Sequence, residues 1–272
     1  MSDRIIWFQN SNWNSQTWDH GQQFYCVETK CVEEVIHPFT YNDNGDTLVF
    51  SPGLLQYNAA QNHWRLASSQ FETVGDANRF KSSTLDAYID LFTFPVKSGN
   101  TPVDPWYMGG NYQSNVDTVR DTEFDFGTKV EGGWVMPSGD EMDYLLLRRD
   151  NWSNLLAKAR VSGRNGYLVL PDDWTRFDEL DFSRTDWYDN QLTLEQWVSL
   201  EGDGAVFIPC SGMMAMNSGI VTDNNTHIYL MCCTTVNVAL YNGISDSQTP
   251  VPRSASTYNA QANAVRLIRH LN

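Results

Sequence analysis

The sequence predicts an α+β fold of two short helices, small antiparallel sheets and long loops. Three observations predict it. Two segments open with a capping box, the reciprocal pairing of side chain and backbone that starts a helix. Several short runs are apolar or alternating and are bounded by turn residues, as strands are. Between them lie long stretches rich in Gly, Pro, Asp or Asn with no sustained period. A few short helices among many short strands define the α+β class.

Taken in order, residues 1–45 read as an N-terminal extension and residues 46–272 as one domain. The extension interleaves Gln9, Asn10, Asn12, Asn14 and Gln16 with Trp7, Trp13 and Trp18. It suits an arm that docks on a neighbouring protein, or a packed terminal strand. Asn42-Asp-Asn-Gly45 is a turn signal. Thr47–Phe50 follows as a strand, ended by Pro52-Gly53. Leu54–Tyr57 and His63–Leu66 form a hairpin across Asn-Ala-Ala-Gln-Asn. The apolar positions 85, 88, 89 and 92 have the spacing of one helix face, which predicts a helix over 82–92. Pro95–Val130 reads as a long loop.

The two capping boxes come next. Ser138-Gly-Asp-Glu141 precedes Met142, Leu145, Leu146 and Arg149 at helical spacing. Thr193-Leu-Glu-Gln196 precedes Trp197, Val198 and Leu200, with Gly202 placed for the left-handed C-terminal position. Gly166–Pro171 between them is a short apolar strand, and 205–209 and 264–269 are two more. Residues 204–272 carry three Arg and two Asp, formally +1, against −15 for the whole chain. An acidic body with a neutral end rich in Asn, Ser and Thr predicts buried strands that hold polar loops, roughly 211–227 and 235–263, as a recognition surface.

Composition excludes several function classes. A net charge of −15 gives no basic footprint for nucleic acid, and no apolar run is long enough for insertion in a membrane. Aromatic residues at 13% fit a β-rich core, or alternatively an aromatic contact surface. The five cysteines, Cys26, Cys31, Cys210, Cys232 and Cys233, cannot all pair within the chain. Adjacent Cys232 and Cys233 would point to opposite faces of a strand. The pattern suits folding in a reducing compartment, or else a signal has been removed before Met1.

Few residues call for catalytic or metal chemistry. Cys26 and Cys31 lack the second pair a zinc site needs. Asp172-Asp173 lacks the alternating carboxylates of a calcium loop and reads as a capped turn. His20, His37, His63, His227 and His270 are scattered, and Ser211 has no Gly-x-Ser-x-Gly frame. Arg266 and Arg269 are expected to pair internally with carboxylates such as Asp76 or Asp90. No cofactor, metal or catalytic residue is expected.

Eight stretches in order resemble a known family. They are Val49–Tyr57, His63–Ala67, Gly75–Asn78, Ile89–Phe92, Ser138–Tyr144, Val169–Trp174, Gly204–Pro209 and Ala264–Arg269. Together they resemble the FISUMP-type "major paralogous" surface domains of Bacteroidetes and their phages, which have a C-type lectin-like fold. The chain departs from the family at Tyr229-Leu-Met-Cys-Cys-Thr234, where an aromatic–Trp–Ser–Ser–Thr run is usual.

The resemblance implies that Thr47–Phe50 pairs with Val265–His270 and that loops near the C-terminus grip a receptor. The ligand-binding residues it implies are Asn237, Tyr241, Asn242, Arg253, Tyr258 and Asn259. The expected function is a non-enzymatic recognition or structural module. In that reading it is a phage virion protein, a fibre or decoration assembled in the host cytoplasm and used in host attachment. Its partners would be a protein or glycan receptor, other virion proteins at the N-terminal segment, and further copies of itself in a homo-oligomer. The alternative is a secreted bacterial surface or pilus-associated adhesin domain. A third reading is an oxidase related to the formylglycine-generating enzymes, which share the lectin-like fold and use a copper-binding cysteine pair.

Overall fold

Alternation of apolar residues from Thr47 onward builds the first sheet. Strand β1 (Phe39–Thr40) lies antiparallel to β2 (Thr47–Asn58), with Phe39 opposite Leu48. Asn42 closes the turn between them, its Oδ1 accepting from the backbone N–H groups of Asn44 and Asp46 at 3.0 and 3.1 Å. The computed structural model describes residues 36–109, 114–216, 218–234 and 261–271. The compact unit that holds this sheet begins at Ile36, so the expected boundary after residue 45 falls inside its first hairpin. The docking arm proper, with Cys26 and Cys31, lies outside the described residues.

β2 continues through Pro52-Gly53, where the sequence predicts an end. The remaining strands are β3 (His63–Leu66), β4 (Tyr88–Ile89), β5 (Leu91–Phe92), β6 (Val96–Lys97), β7 (Thr101–Pro102), β8 (Leu156–Val161), β9 (Arg164–Val169), β10 (Gln191–Leu192), β11 (Val206–Pro209), β12 (Met213–Ala215), β13 (Ile220–Thr222), β14 (Gln261–Ala264) and β15 (Arg266–Leu271). Ile268 faces Phe50 while Arg266 faces Leu54, so Ser51–Gly53 form a bulge in β2. A bulge is where a strand tolerates proline, and the Ser51 hydroxyl bridges it by donating to the Gly53 carbonyl at 2.9 Å. The first half of β2 pairs with β1 and β15, the second half with β3 and β4. The expected pairing of the outer apolar segments is present, with Leu48 opposite His270 and Val49 opposite Arg269.

Residues 82–92 are not helical. The apolar spacing is served by two extended pieces, β4 against β2 and β5 against β14, separated by Asp90, which turns inward. Both capping boxes are made. Ser138 opens α1 (Gly139–Asp143), and Thr193 opens α2 (Leu194–Gly202). Past α1 the chain widens to a π turn, Arg149 N–H donating to Tyr144 C=O at 2.9 Å. At the end of α2 the left-handed position falls to Gly204 (φ +88), not Gly202. Ala205 N–H reaches Leu200 C=O and Gly204 N–H reaches Glu201 C=O, each at 3.0 Å, the double closure that this backbone conformation permits.

A second sheet runs β10-β8-β9-β11, all antiparallel except the β10–β8 pair, which is parallel. One face, with Leu156, Tyr167, Val169 and Ile208, packs on Leu54, Ile268 and the Met142–Leu146 turn of the first helix. The other, with Ala157, Leu168 and Phe207, packs on Trp197 and Leu200 of α2. Burial on both faces explains why these strands read as apolar runs without alternation. A third sheet orders β13-β12-β14-β5. Cys232 joins the central cluster while Cys233 joins a neighbouring aromatic one around Trp64, Phe92 and Phe126, so the adjacent thiols face apart as expected.

Polar groups tie the layers together. Glu141 takes two hydrogen bonds from Arg120, at 2.6 and 2.5 Å, and one from the Ser138 N–H at 2.6 Å; His270 Nε2 lies 2.9 Å away. Burial works to raise the Glu141 pKa, but Arg120, Ser138 and His270 outweigh it and bring it down to about 2. Arg266 is buried without a carboxylate partner: it donates to Gln70 Oε1 at 2.6 Å, while Gln70 Nε2 donates to Glu201 at 2.8 Å. Arg269 stands over the Trp134 ring at 5.0 Å and donates to Gly132 C=O. Neither Arg pairs with Asp76 or Asp90, because Asn78 and the Val74 backbone already hold Asp90.

Candidate functional site

The described part of the expected loop face is a cleft between Gly75–Phe80 and the β12–β13 hairpin. Its first wall is set by one amide. Asn78 is fully buried; its Nδ2 donates to Gly75 C=O and Asp90 Oδ1, each at 2.8 Å, and its Oδ1 accepts from the Asp90 and Leu91 N–H groups. Both amide hydrogens and both lone pairs are thereby used. The other Asp90 oxygen accepts from Val74 N–H at 2.6 Å. Burial drives the Asp90 pKa up to about 6, against the lowering effect of those Val74 and Asn78 hydrogen bonds. With Asn78 turned in, Arg79 and Phe80 turn out, the guanidinium 4.6 Å from the ring centre.

The second wall hangs from Asn225, held at φ +65. Its N–H donates to Cys210 C=O, its Oδ1 accepts from Asn165 N–H at 2.7 Å, and its C=O accepts from the Asn165 amide at 2.9 Å. Neighbouring Asn224 accepts from Arg164 at 2.8 Å, and Asp223 accepts from the Tyr229 hydroxyl at 2.9 Å. The walls meet at Gly75 (φ +63), where an added Cβ would lie 2.7 Å from the Asn224 amide.

Between the walls is a cleft of about 370 Å³. Phe80, Met108, Ile220 and Val221 supply its apolar lining, and Asp76 and Arg79 one charge of each sign. Phe80 is 59% exposed and Ile220 57%. Two large apolar side chains left open side by side on the walls of one cleft form a candidate contact surface.

The described residues of 211–227 therefore form a partly buried hairpin and its turn, not an open polar loop. Asn225 bonds the backbone and Asn224 bonds Arg164, and the rim they support carries Phe80 and Ile220 beside the charges of Asp76 and Arg79. The expected ligand-binding residues Asn237, Tyr241, Asn242, Arg253, Tyr258 and Asn259 lie outside the described residues. The chain that holds them leaves from Thr234, bridged to Thr118, and returns at Gln261, opposite Ala215 in the strand that leads into the cleft's hairpin. Phe80, Met108 and Ile220 escape sequence reasoning because they come from three segments far apart in the chain, none with a sustained apolar period. Only the hydrogen-bonding neighbours, Gly75-Asp-Ala-Asn78 and Asp223-Asn-Asn225, mark the region.

Asp172 and Asp173 behave as structural groups. Asp172 accepts from Thr40 N–H and its hydroxyl, at 2.6 and 2.7 Å, and Asp173 meets His37 at 3.1 Å. Burial raises the pKa of the Cys210 and Cys233 thiols, which keeps them protonated and poorly nucleophilic. Compared with protein-family models, curated proteins and solved structures, the chain matches none.

Proposed function

We propose that the chain is a non-enzymatic recognition module with a C-type lectin-like fold, a fibre or decoration component of a phage virion used in host attachment. The pairing of β2 with β15 carries this reading. It closes the chain's two outer segments into one sheet, so that everything between them is hung as a loop from a fixed base. The open cleft lies on that hung portion, where a recognition module needs its contact surface. Buried free thiols at Cys210 and Cys233 favour assembly in a reducing cytosol. They support the virion reading over the secreted adhesin. Opposed side chains at Cys232 and Cys233 offer no shared ligand pair for copper, which weighs against the oxidase.

The partner in this reading is a host surface protein or glycan, with the N-terminal segment docking on other virion proteins. Fluorescently labelled protein is expected to bind intact Bacteroidetes cells of a susceptible strain, and Phe80→Ser/Ile220→Ser to lose at least tenfold in bound signal while keeping its fold. Absence of binding to every strain tested, or equal binding by the variant, would overturn it.

A further inference from the structure

A second concavity lies away from the loop cleft, where β1, the π turn and the segment after β9 converge. Its volume is about 290 Å³, near the lower end of the roughly 300–1,000 Å³ of small-molecule sites, and so of a size for one ring rather than a chain. We propose that it binds a single neutral sugar ring.

The floor is built and rigid. Arg149 is 2% exposed, and it donates to Asp172 Oδ1 at 3.0 Å and to the carbonyls of Leu170 and Leu155 at 2.7 and 3.3 Å. Asp172 in turn accepts from Thr40 through its other oxygen. These groups fix the shape, and Arg149 acts as a clamp rather than a ligand.

The groups left for a visitor are on the walls. The Asp150 carboxylate is exposed, with no hydrogen bond or ion pair among the described residues. Asn151 sits at φ +57 and accepts at Oδ1 from Asn154 at 2.7 Å, which leaves its own amide hydrogens for a ligand. Phe177 is 37% exposed and Tyr144 half-buried, and both rings line the opening. Arg148 already stands over the Tyr144 ring, so Phe177 is the better stacking platform.

Charge and polarity choose the ligand class. Asp150 and Asp172 outnumber Arg149, and the chain carries −15 overall, which repels phosphates, sulfates and acidic sugars. An organic cation is disfavoured too, since the fixed guanidinium lies in the floor and Asn151 offers a donor. An apolar ligand would strand Asp150 and Asn151. A neutral sugar satisfies all of them: hydroxyls donate to Asp150, accept from Asn151, and an apolar ring face covers Phe177. The site is separate from the loop cleft and does not depend on it.

Saturation-transfer NMR of the full chain with methyl glycosides of glucose, galactose, mannose and N-acetylglucosamine tests this. At least one is expected to bind in the millimolar range, while glucuronate and choline give no signal. Phe177→Ala and Asp150→Asn are each expected to weaken that binding at least fivefold, and Ile220→Ser, in the other cleft, to leave it unchanged. Failure of all four glycosides to bind, stronger binding of glucuronate or choline, or unchanged affinity in both pocket variants would overturn the proposal. Asp150→Asn alters an exposed group with no partner, so its effect reads the site and not the fold.

Discussion

The two concavities spend their polar side chains in opposite ways. In the loop cleft, Asn78, Asn224 and Asn225 turn inward and bond backbone and neighbouring side chains, so that the surface they shape is left to Phe80, Met108, Ile220 and the charges of Asp76 and Arg79. In the pocket beside β1, Arg149 and Asp172 brace the floor, and Asp150 and Asn151 remain outside as acceptor and donor. Polar composition in a segment therefore does not forecast which polar groups reach the surface. What decides is whether the backbone needs those amides first, and turns with positive φ, such as those at Asp223 and Asn225, need them.

Four perturbations would sharpen or break the contrast, in falling order of effect. Glu141→Ala strands Arg120 and His270 beneath the helix that carries Tyr144. A loss of about 3–5 kcal/mol is expected in urea unfolding, as for a broken buried ion pair, with hydrogen exchange rising at 139–151 before it rises at the loop cleft. Equal acceleration at both would mean that the two concavities share one support.

Asp90 gives a pH signature confined to the loop cleft. Its folded pKa of about 6 lies above the ordinary 3.8, so its contribution to stability is full below about 3.8 and is lost as pH rises through about 6. A shift of that size corresponds to about 3 kcal/mol. Glu141 runs the other way: its contribution is present above 4.5 and lost as pH falls through about 2. Between these windows Asp90→Asn is expected to flatten the stability profile from about pH 4 to 6, followed by thermal denaturation; an unchanged slope would show that Asp90 is not the titrating group.

Asn78→Ala removes the anchor of the first wall and leaves buried backbone donors unmet, for a loss of about 2–3 kcal/mol. The variant is expected to lose the loop cleft and keep sugar binding in the pocket, and the two readouts together measure their independence. The smallest effect belongs to Ile220→Ser, expected to change stability by less than about 0.5 kcal/mol because its side chain is exposed. A larger loss would show that Ile220 packs more than it protrudes.

Much of this architecture was legible in local chemistry. Ser138 with Glu141 and Thr193 with Gln196 announce their helices because a capping box is complete within four residues. The β2–β3 hairpin and the opposed faces of Cys232 and Cys233 follow from alternation alone. Illegible parts depend on partners far along the chain. The 82–92 segment has a helical period, yet Asp90 breaks it by bonding Asn78, whose backbone belongs to another element. β8 hides because Lys158 and Arg160 interrupt its apolar residues, though Lys158 is buried beside the Trp187 ring. The site residues expected near the C-terminus follow from the family resemblance and lie outside the described residues, whereas Phe80 and Ile220 owe their exposure to amides that face away from them.

The bulged strand that opens the domain also sets its timetable. Phe50 meets Ile268 only after all the residues between them have been made, and contacts so distant in sequence form slowly. As the chain leaves the ribosome, the first sheet stays one strand short, with an apolar edge waiting. A chaperone or a fellow subunit has that interval in which to act, and a ribosome stalled before residue 266 would release a body that cannot shut.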